Sequence, residues 1–72
     1  MDKKVIKVEG EYIKLQDLLK YSGLCQTGGH EKIVIQNGEV KVNDEVCTMR
    51  GKKISTGDVA EYNNEQVEVI MV

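Results

Sequence analysis

The stretch KIVIQNGEVKVND, residues 32–44, decides the fold of this chain. Short apolar runs lie on both sides of Asn37-Gly38, a dipeptide that strongly favours a two-residue hairpin turn. The alternative is a helix over residues 28–37 that ends at Gly38 and is followed by a strand from Glu39. Local propensity favours the hairpin, because the β-branched run IVI before the turn is a poor helix former. Only the helix would place a basic helix terminus at this point of the chain.

The composition indicates a small domain with an aliphatic core. The chain has 72 residues, no Trp or Phe and three Tyr, so Val, Ile and Leu must fill the interior of one domain over residues 1–72. No apolar run approaches the roughly 20 residues needed to cross a bilayer, and the first residues lack the apolar region of a secretory signal. Cys25 and Cys47 have no CxxC spacing. We therefore expect reduced, structural thiols, a cytoplasmic location and no membrane partner.

The distribution of charge limits which partners are possible. Residues 1–26 contain five Lys and four acids, residues 27–53 contain five bases and four acids, and residues 54–72 contain four acids and no base. The net charge of −2 argues against indiscriminate binding to nucleic acid. A polyanion would have to meet the first two thirds of the chain, where the same lysines are also compatible with an ordinary solvated surface.

Hydrophobic periodicity predicts one or two helices beside a small, mostly antiparallel sheet, which is an α+β arrangement. The first helix ends at Gly23, and its apolar positions recur three and four residues apart. Its buried face is expected to hold Ile13, Leu15, Leu18, Leu19 and Ser22. The other predictions are a strand at 4–8, a strand from Glu39, a turn at Asn43-Asp44 with a partner strand at 46–48, an exposed basic loop at 50–53, a turn at 55–58, and strands at 59–62 and 66–72, the last pairing with the first.

The segment QTGGHEK offers a weak signal for anion binding. Thr27 is a plausible N-cap, because its hydroxyl can accept an amide proton from the next turn. Gly28 and Gly29 leave the following amides open, as a small anion site at a helix start requires. The same three residues are more often a flexible turn.

Several motifs occur together in a fixed order: L-x-x-L-L-x-x-x-G, T-G-G, I-x-x-G-x-V-x-V-N, a basic loop and G-D-V. They lie within KLQDLLKYSGL at 14–24, TGGHEKIVIQNGEVKVND at 27–44 and GDVAEY at 57–62. With this order and spacing the chain resembles the RNA-binding domain first seen in small-subunit ribosomal protein S-four, also called the alpha-L RNA-binding motif. The length and the TGG…RGKK variant are most similar to the stand-alone bacterial type, in which this domain is the whole protein.

The resemblance implies two helices packed on a mostly antiparallel sheet of four to five strands, and it favours the helix over 28–37. Gly38 then ends this helix with a left-handed backbone, and the hairpin turn falls at Asn43-Asp44. Gly28 stands where the family often has Arg, as in the stand-alone type, and Glu31 stands where the family prefers a small buried Ala. An unpaired Glu31 in the core would be strongly destabilising, so we expect either a rotated helix or Glu31 at the rim near a basic partner.

The resemblance also implies a monomer without catalytic activity or cofactor that binds structured RNA of ribosomal or transfer type. Each Lys or Arg on a phosphate releases a counterion, Arg50 can form a bidentate fork, and His30 can donate a hydrogen bond. Tyr12 and Tyr21 are expected to pack rather than to stack on bases, so recognition would depend on RNA shape and backbone. The candidate RNA-binding residues are Lys14, Thr27, Gly28, Gly29, His30, Lys32, Lys41, Arg50, Lys52 and Lys53.

Other classes of function have less support. The single His has no Ser-His-Asp or Cys-His partners in a local motif, and Cys25, His30 and Cys47 do not match the spacing of a compact zinc site. The alternative function is a protein-interaction module, because the C-terminal half is also similar to a small β-grasp sulfur carrier. Such carriers need a Gly-Gly C-terminus, whereas this chain ends in IMV. A protein partner could still bind the acidic C-terminal segment or an open strand edge.

Overall fold

Two short helices pack against one face of a β-sheet, and a second, two-stranded sheet lies at the start of the first helix. These elements are found within residues 2–25 and 29–72, the part of the chain that the computed structural model describes. The helices are α1 (Leu15–Tyr21) and α2 (His30–Gln36). The strands are β1 (Asp2–Val8), β2 (Ile13–Lys14), β3 (Val40–Val42), β4 (Glu45–Val46), β5 (Lys53–Ile54), β6 (Val59–Tyr62) and β7 (Glu65–Met71).

The larger sheet has the strand order β1-β7-β6-β3-β4. Its first pair, β1 and β7, is parallel, whereas the other neighbouring strands are antiparallel. The predicted α+β fold, with two helices on a mostly antiparallel sheet of four to five strands, is therefore confirmed within the described residues. The first and last strands pair as predicted, although they extend over Asp2–Val8 and Glu65–Met71 rather than 4–8 and 66–72.

The segment around Asn37-Gly38 ends a helix, so the hairpin alternative is wrong and the helix prediction is confirmed. Gly38 has φ +76°. Two backbone bonds close the end of α2: Gly38 N–H donates to Ile35 O at 3.1 Å, and Glu39 N–H donates to Val34 O at 3.0 Å. This pair of bonds is the Schellman motif, which needs a left-handed residue at this position and therefore favours glycine.

Burial explains why α2 forms despite its β-branched run. Val34 and Ile35 are buried in the core, whereas Ile33 is 58% exposed. A strand would have placed Ile33 and Ile35 on the same face, because side chains alternate along a strand. The helix instead buries two neighbouring residues, and this packing outweighs their intrinsic preference for extended backbone.

The helix α1 begins at Leu15, later than predicted, because the residues before it belong to a strand. Ile13 pairs with Ile54 and Lys14 pairs with Lys53 in the antiparallel sheet of β2 and β5. Ile13 was expected on the helix face, but it packs against the core from β2. The prediction failed here because the strand partner is distant in sequence and leaves no local signal.

The turn predicted at Asn43-Asp44 is confirmed, with φ values of +53° and +70° that suit a two-residue hairpin turn. The following strand β4 covers Glu45–Val46 rather than the predicted 46–48. Cys47 N–H still donates to Val40 O at 2.9 Å. The chain then continues to the turn at residues 50–51 and enters β5.

A side-chain clamp joins that hairpin turn to the turn before β6. Asn43 Oδ1 accepts Val59 N–H at 2.9 Å, and Asn43 Nδ2 donates to Asp58 Oδ1 at 3.0 Å. Asp58 Oδ2 accepts Ser55 N–H at 2.9 Å. The Ser55 amide lowers the pKa of Asp58, the Asn43 side chain and the charge of Lys52 lower it further, and burial opposes them.

The core lies between the helices and the inner face of the larger sheet. Aliphatic side chains dominate it, as the composition requires. Its buried members among the described residues are Val8, Leu15, Leu18, Leu19, Cys25, Val34, Ile35, Val40, Val42, Ile54, Ala60, Val67 and Val69. The helices of the described segments are too short to span a membrane.

We expect Gly38→Ala to lower the free energy of unfolding by about 1–2 kcal/mol, because a Cβ at a left-handed φ is strained. The added Cβ would meet Val46 Cγ1 at 3.5 Å, an ordinary contact, so the effect comes from the backbone. Gly51→Ala is the matched control, because a Cβ there has open space and φ lies outside the left-handed region. Urea unfolding measures both variants, and equal stabilities would contradict this account of the helix end.

Asp58 should make the stability of the protein depend on acid. Because its folded-state pKa is lowered, it contributes stability above the pKa of an unfolded Asp, about 3.9, and this stability is lost as the pH falls through the folded-state pKa. We expect Asp58→Asn to be less stable than wild type at neutral pH and to lose less stability on acidification.

Asp44→Asn is the control for this prediction. Asp44 lies in the adjacent hairpin turn, is exposed and takes no part in the clamp. Chemical denaturation at a series of pH values gives the free energies of unfolding. An Asp58→Asn variant with the same acid dependence as wild type would show that the clamp is not the cause.

Candidate nucleic-acid interface

The start of α1 is closed by backbone carbonyls from the turn before β5. Lys14 occupies the N-cap position, and its side chain makes no capping bond. Instead, Leu15 N–H donates to Lys52 O at 2.9 Å and Gln16 N–H donates to Arg50 O at 3.1 Å. The first amides of a helix lack partners within the helix, so these bonds fix the turn against α1. They also bring the cations of the turn next to Lys14.

The strands β2 and β5 place two lysines directly opposite each other. Lys14 and Lys53 are Cα partners, so their side chains share one face with Cβ atoms about 5 Å apart. The neighbouring pair of isoleucines faces the core. Among the described residues the salt bridge found is Lys3–Glu68 at 2.9 Å, and none involves Lys14 or Lys53. Like charges in this arrangement are destabilising.

Four of the predicted RNA-binding residues therefore converge at the start of α1. They are all exposed, and the basic surface that they form is called the ribbon patch below. Only the first part of the predicted loop at 50–53 is a turn, because its last residue belongs to β5. The members of the ribbon patch are Lys14, Arg50, Lys52 and Lys53.

Tyr12 adds an aromatic ring to the ribbon patch. It lies just before β2, two residues from Lys14 in the sequence. Its side chain is 43% exposed, and Lys53 Nζ lies 4.9 Å from the centroid of its ring. Tyr21 is 62% exposed, so the prediction that both tyrosines are packing residues is wrong.

The start of α2 carries an anion of its own. The helix begins at His30 with Gly29 as its N-cap at φ +98°, whereas the predicted start and N-cap, Gly28 and Thr27, lie outside the described residues. Gly29 N–H donates to Glu31 Oε1 at 3.4 Å. A phosphate at the Gly29 amide would therefore compete with the carboxylate of Glu31.

Glu31 is only 6% exposed, yet its surroundings favour the charged form. Its own backbone amide lowers the pKa of the carboxyl group most, the Gly29 amide and the charges of Lys20 and Lys32 lower it further, and burial opposes them. Its Oε2 atom has no hydrogen-bond partner within 2–25 and 29–72. The carboxylate thus lies on the buried face of α2. The basic neighbours that we expected at the rim are nevertheless present, as Lys20 and Lys32.

His30 and Lys32 lie at the start of α2, whereas the ribbon patch lies at the start of α1. The His30 ring packs edge-to-face with Tyr62, with centroids 6.0 Å apart, and Lys32 is exposed. The start of α2 lies near the C-terminal end of α1, because Lys20 in the last turn of α1 acts on Glu31. A helix of seven residues is about 10 Å long. These two residues therefore form a separate basic area.

Lys41 is separated from the other candidates by the sheet itself. Val40 and Val42 face the core, so the side chain of Lys41 lies on the outer face of β3. There it is opposite Glu61 in the antiparallel pair of β3 and β6. The structure therefore does not bring Lys41 together with the ribbon patch.

The two cysteines are free thiols. Cys25 is a buried core residue, which agrees with the structural role predicted for it. Burial raises the pKa of its thiol most, and the charges of Glu31 and Glu39 raise it further. Over residues 2–25 and 29–72, no three His, Cys, Asp or Glu side chains are grouped closely enough to hold a metal ion.

The fold and the basic surface beside its first helix define a class of small α+β domain. Residues 6–70 match the model of the S4 domain family, and the chain belongs to this family, which confirms the resemblance seen in the sequence. The "Probable ribosome maturation protein RlbA" of Bacillus subtilis is 41% identical over 56 residues, which cover 78% of this chain and 79% of that protein. The "Putative RNA-binding protein YbcJ" of Escherichia coli is 36% identical over 59 residues, which cover 82% and 84%.

A solved structure has a similar fold over nearly the whole chain. It is the solution structure of YbcJ from Escherichia coli, described as revealing an alfaL motif involved in RNA-binding. The superposition covers 94% of this chain and 85% of that one, with a TM-score of 0.64 and 31% identity. The arrangement of helices and sheet found here is therefore shared with a relative.

Two matched substitutions test the repulsion within the ribbon patch. We expect Lys14→Gln to raise the free energy of unfolding by about 0.2–1 kcal/mol, because it removes the like charge opposite Lys53. Lys41→Gln should leave stability unchanged or lower it slightly, because Lys41 is opposite Glu61. Both differences should shrink in about 1 M salt. Thermal or urea unfolding measures them, and equal effects at low salt would contradict the proposed repulsion.

Proposed function

We propose that this chain binds structured RNA of ribosomal or transfer type through the ribbon patch, without catalysis. The observation that carries the proposal is the pair Lys14 and Lys53, which lie directly opposite each other with no carboxylate bridging them among the described residues. A fold keeps such an arrangement at a cost in stability. A phosphate between the two ammonium groups would turn their repulsion into attraction.

The other members of the ribbon patch extend this anion site. Arg50 and Lys52 belong to the turn whose carbonyls close α1, so the backbone beneath their side chains is held in place. Each cation that contacts a phosphate releases a counterion, and Arg50 can also form a bidentate fork on one phosphate. The net charge of −2 limits binding without such a focused surface.

The other candidate residues differ in how well their positions fit the proposed interface. Lys32 and His30 form a second contact area at the start of α2, which an RNA long enough to follow α1 would reach. Gly29 has a weaker claim, because its amide already donates to Glu31. We leave Lys41 out of the interface because of its position on the outer face of the sheet.

The similarity to a protein named for ribosome maturation and to one named for RNA binding supports the proposal. We treat residues 1–72 as one RNA-binding domain and a monomer, with no cofactor. A cytoplasmic location follows from the proposed partner, because ribosomal and transfer RNA act there. The alternative of a protein-interaction module predicts no affinity for these RNAs.

The test compares two triple variants with the same loss of charge. One changes Arg50, Lys52 and Lys53 to Ala, and the control changes three exposed lysines away from the patch, Lys4, Lys7 and Lys41, to Ala. Affinity for ribosomal RNA and for transfer RNA is measured over a series of salt concentrations. We expect weaker binding and a salt slope reduced by up to about 2–3 in the first variant, because each lost phosphate contact removes somewhat less than one unit.

The control variant distinguishes a local site from a general effect of charge. It should keep a slope close to that of wild type. Equal losses in both variants would contradict the ribbon patch as the binding surface. A wild-type chain that binds neither RNA would favour the protein-partner alternative.

A further inference from the structure

Tyr12 is exposed in the middle of a basic surface, although the core could use an aromatic ring. The chain has no Trp, no Phe and three Tyr. Tyr62 packs against the core, and burial is the main cause of its raised pKa. Tyr12 is instead 43% exposed and contacts Lys53. Its position therefore has to be explained by something other than core packing.

The contact between Tyr12 and Lys53 shows what the ring can do there. Lys53 Nζ lies 4.9 Å from the ring centroid, within the range of a cation–π interaction. This contact places the ammonium group over one face of the ring, so a base would have to stack on the opposite face, while Lys14 lies opposite Lys53. An aromatic surface flanked by two cations has the composition of sites that hold a base and its neighbouring phosphates.

We propose that Tyr12 is the stacking platform for one unpaired nucleotide of the bound RNA, with Lys14 and Lys53 neutralising the phosphates on either side of it. The inference rests on the proposed RNA-binding function and adds a ligand class to it: an unpaired base in a loop, bulge or single strand. A base within a duplex is stacked on its neighbours and cannot offer its face to the ring. Stacking accepts any base, so the platform selects for unpaired structure and not for sequence.

The second exposed tyrosine is a natural control. Tyr21 lies at the opposite end of α1 and is 62% exposed. Its hydroxyl donates to Lys7 O at 3.4 Å, outside the ribbon patch. Replacing either tyrosine removes one exposed ring from the chain and leaves the net charge unchanged.

The test measures the affinity of Tyr12→Leu, Tyr12→Phe and Tyr21→Leu for two probes, a single-stranded oligoadenylate and a fully paired RNA duplex with the same number of phosphates. We expect Tyr12→Leu to weaken binding to the single strand by about five- to a hundredfold, and to leave duplex binding within about twofold. Tyr12→Phe and Tyr21→Leu should bind both probes like wild type. The salt slope of Tyr12→Leu should stay unchanged, because its phosphate contacts remain.

Tyrosine emission gives a second readout that does not depend on affinity. Because the chain lacks Trp, its emission comes from three Tyr. Binding of oligoadenylate should quench emission in wild type and in Tyr21→Phe, but much less in Tyr12→Phe, which still binds.

The outcomes separate this inference from the proposed function. Equal weakening by Tyr12→Leu and Tyr21→Leu, or equal weakening of duplex and single-strand binding by Tyr12→Leu, would overturn the stacking role. In both cases an intact salt slope for wild type would leave the proposed function standing. Absence of salt-dependent binding by wild type would overturn both.

Discussion

The left-handed backbone at Gly38 is the constraint on which the arrangement of helices and sheet depends. With φ at +76° at Gly38, the amides of Gly38 and Glu39 donate hydrogen bonds to carbonyls in the last turn of α2. The chain therefore reverses direction directly after the helix. Val40 and Val42 then enter the sheet with their side chains toward the core. A residue with a Cβ resists this backbone, and a continued helix would carry both valines away from the larger sheet.

The basic surface depends on a second, equally local device. The first amides of α1 have no side-chain cap and are satisfied by the carbonyls of Lys52 and Arg50. The fold therefore cannot form this helix start without drawing a basic turn against it, and β2 and β5 then place Lys14 opposite Lys53. The bonds that the helix start requires and the destabilising pair of like charges thus occur at one site, which is the kind of local conflict that functional surfaces often retain.

The motif residues that reveal the family serve mainly to build the fold. Asn43 and Asp58, from the V-x-V-N and G-D-V segments, bond to each other and to backbone amides, and so hold two turns together. Arg50, Lys52 and Lys53 of the proposed interface belong to the basic loop of the same pattern, whereas Tyr12 lies outside it. Family membership therefore accounts for the scaffold, whereas the case for RNA contact depends on where the cations and Tyr12 lie.

The sequence by itself determined the elements whose cause is local. The three- and four-residue spacing of Leu15, Leu18 and Leu19 marked the buried face of α1, and Asn43-Asp44 marked the hairpin turn, because both depend on interactions within a few residues. That α2 is a helix was predicted from the family resemblance, although the local propensity of its residues favours a strand.

Only the tertiary structure decided what depends on distant partners. The pairing of Ile13 with Ile54, the face-to-face position of two lysines and the exposure of Tyr12 all require segments from opposite ends of the chain to meet. The burial of Glu31, which is 6% exposed, is of the same kind, because it depends on how α2 packs in the folded chain. Local sequence patterns do not predict these long-range contacts, because the free energy that stabilises them comes from packing that exists only once the chain has folded.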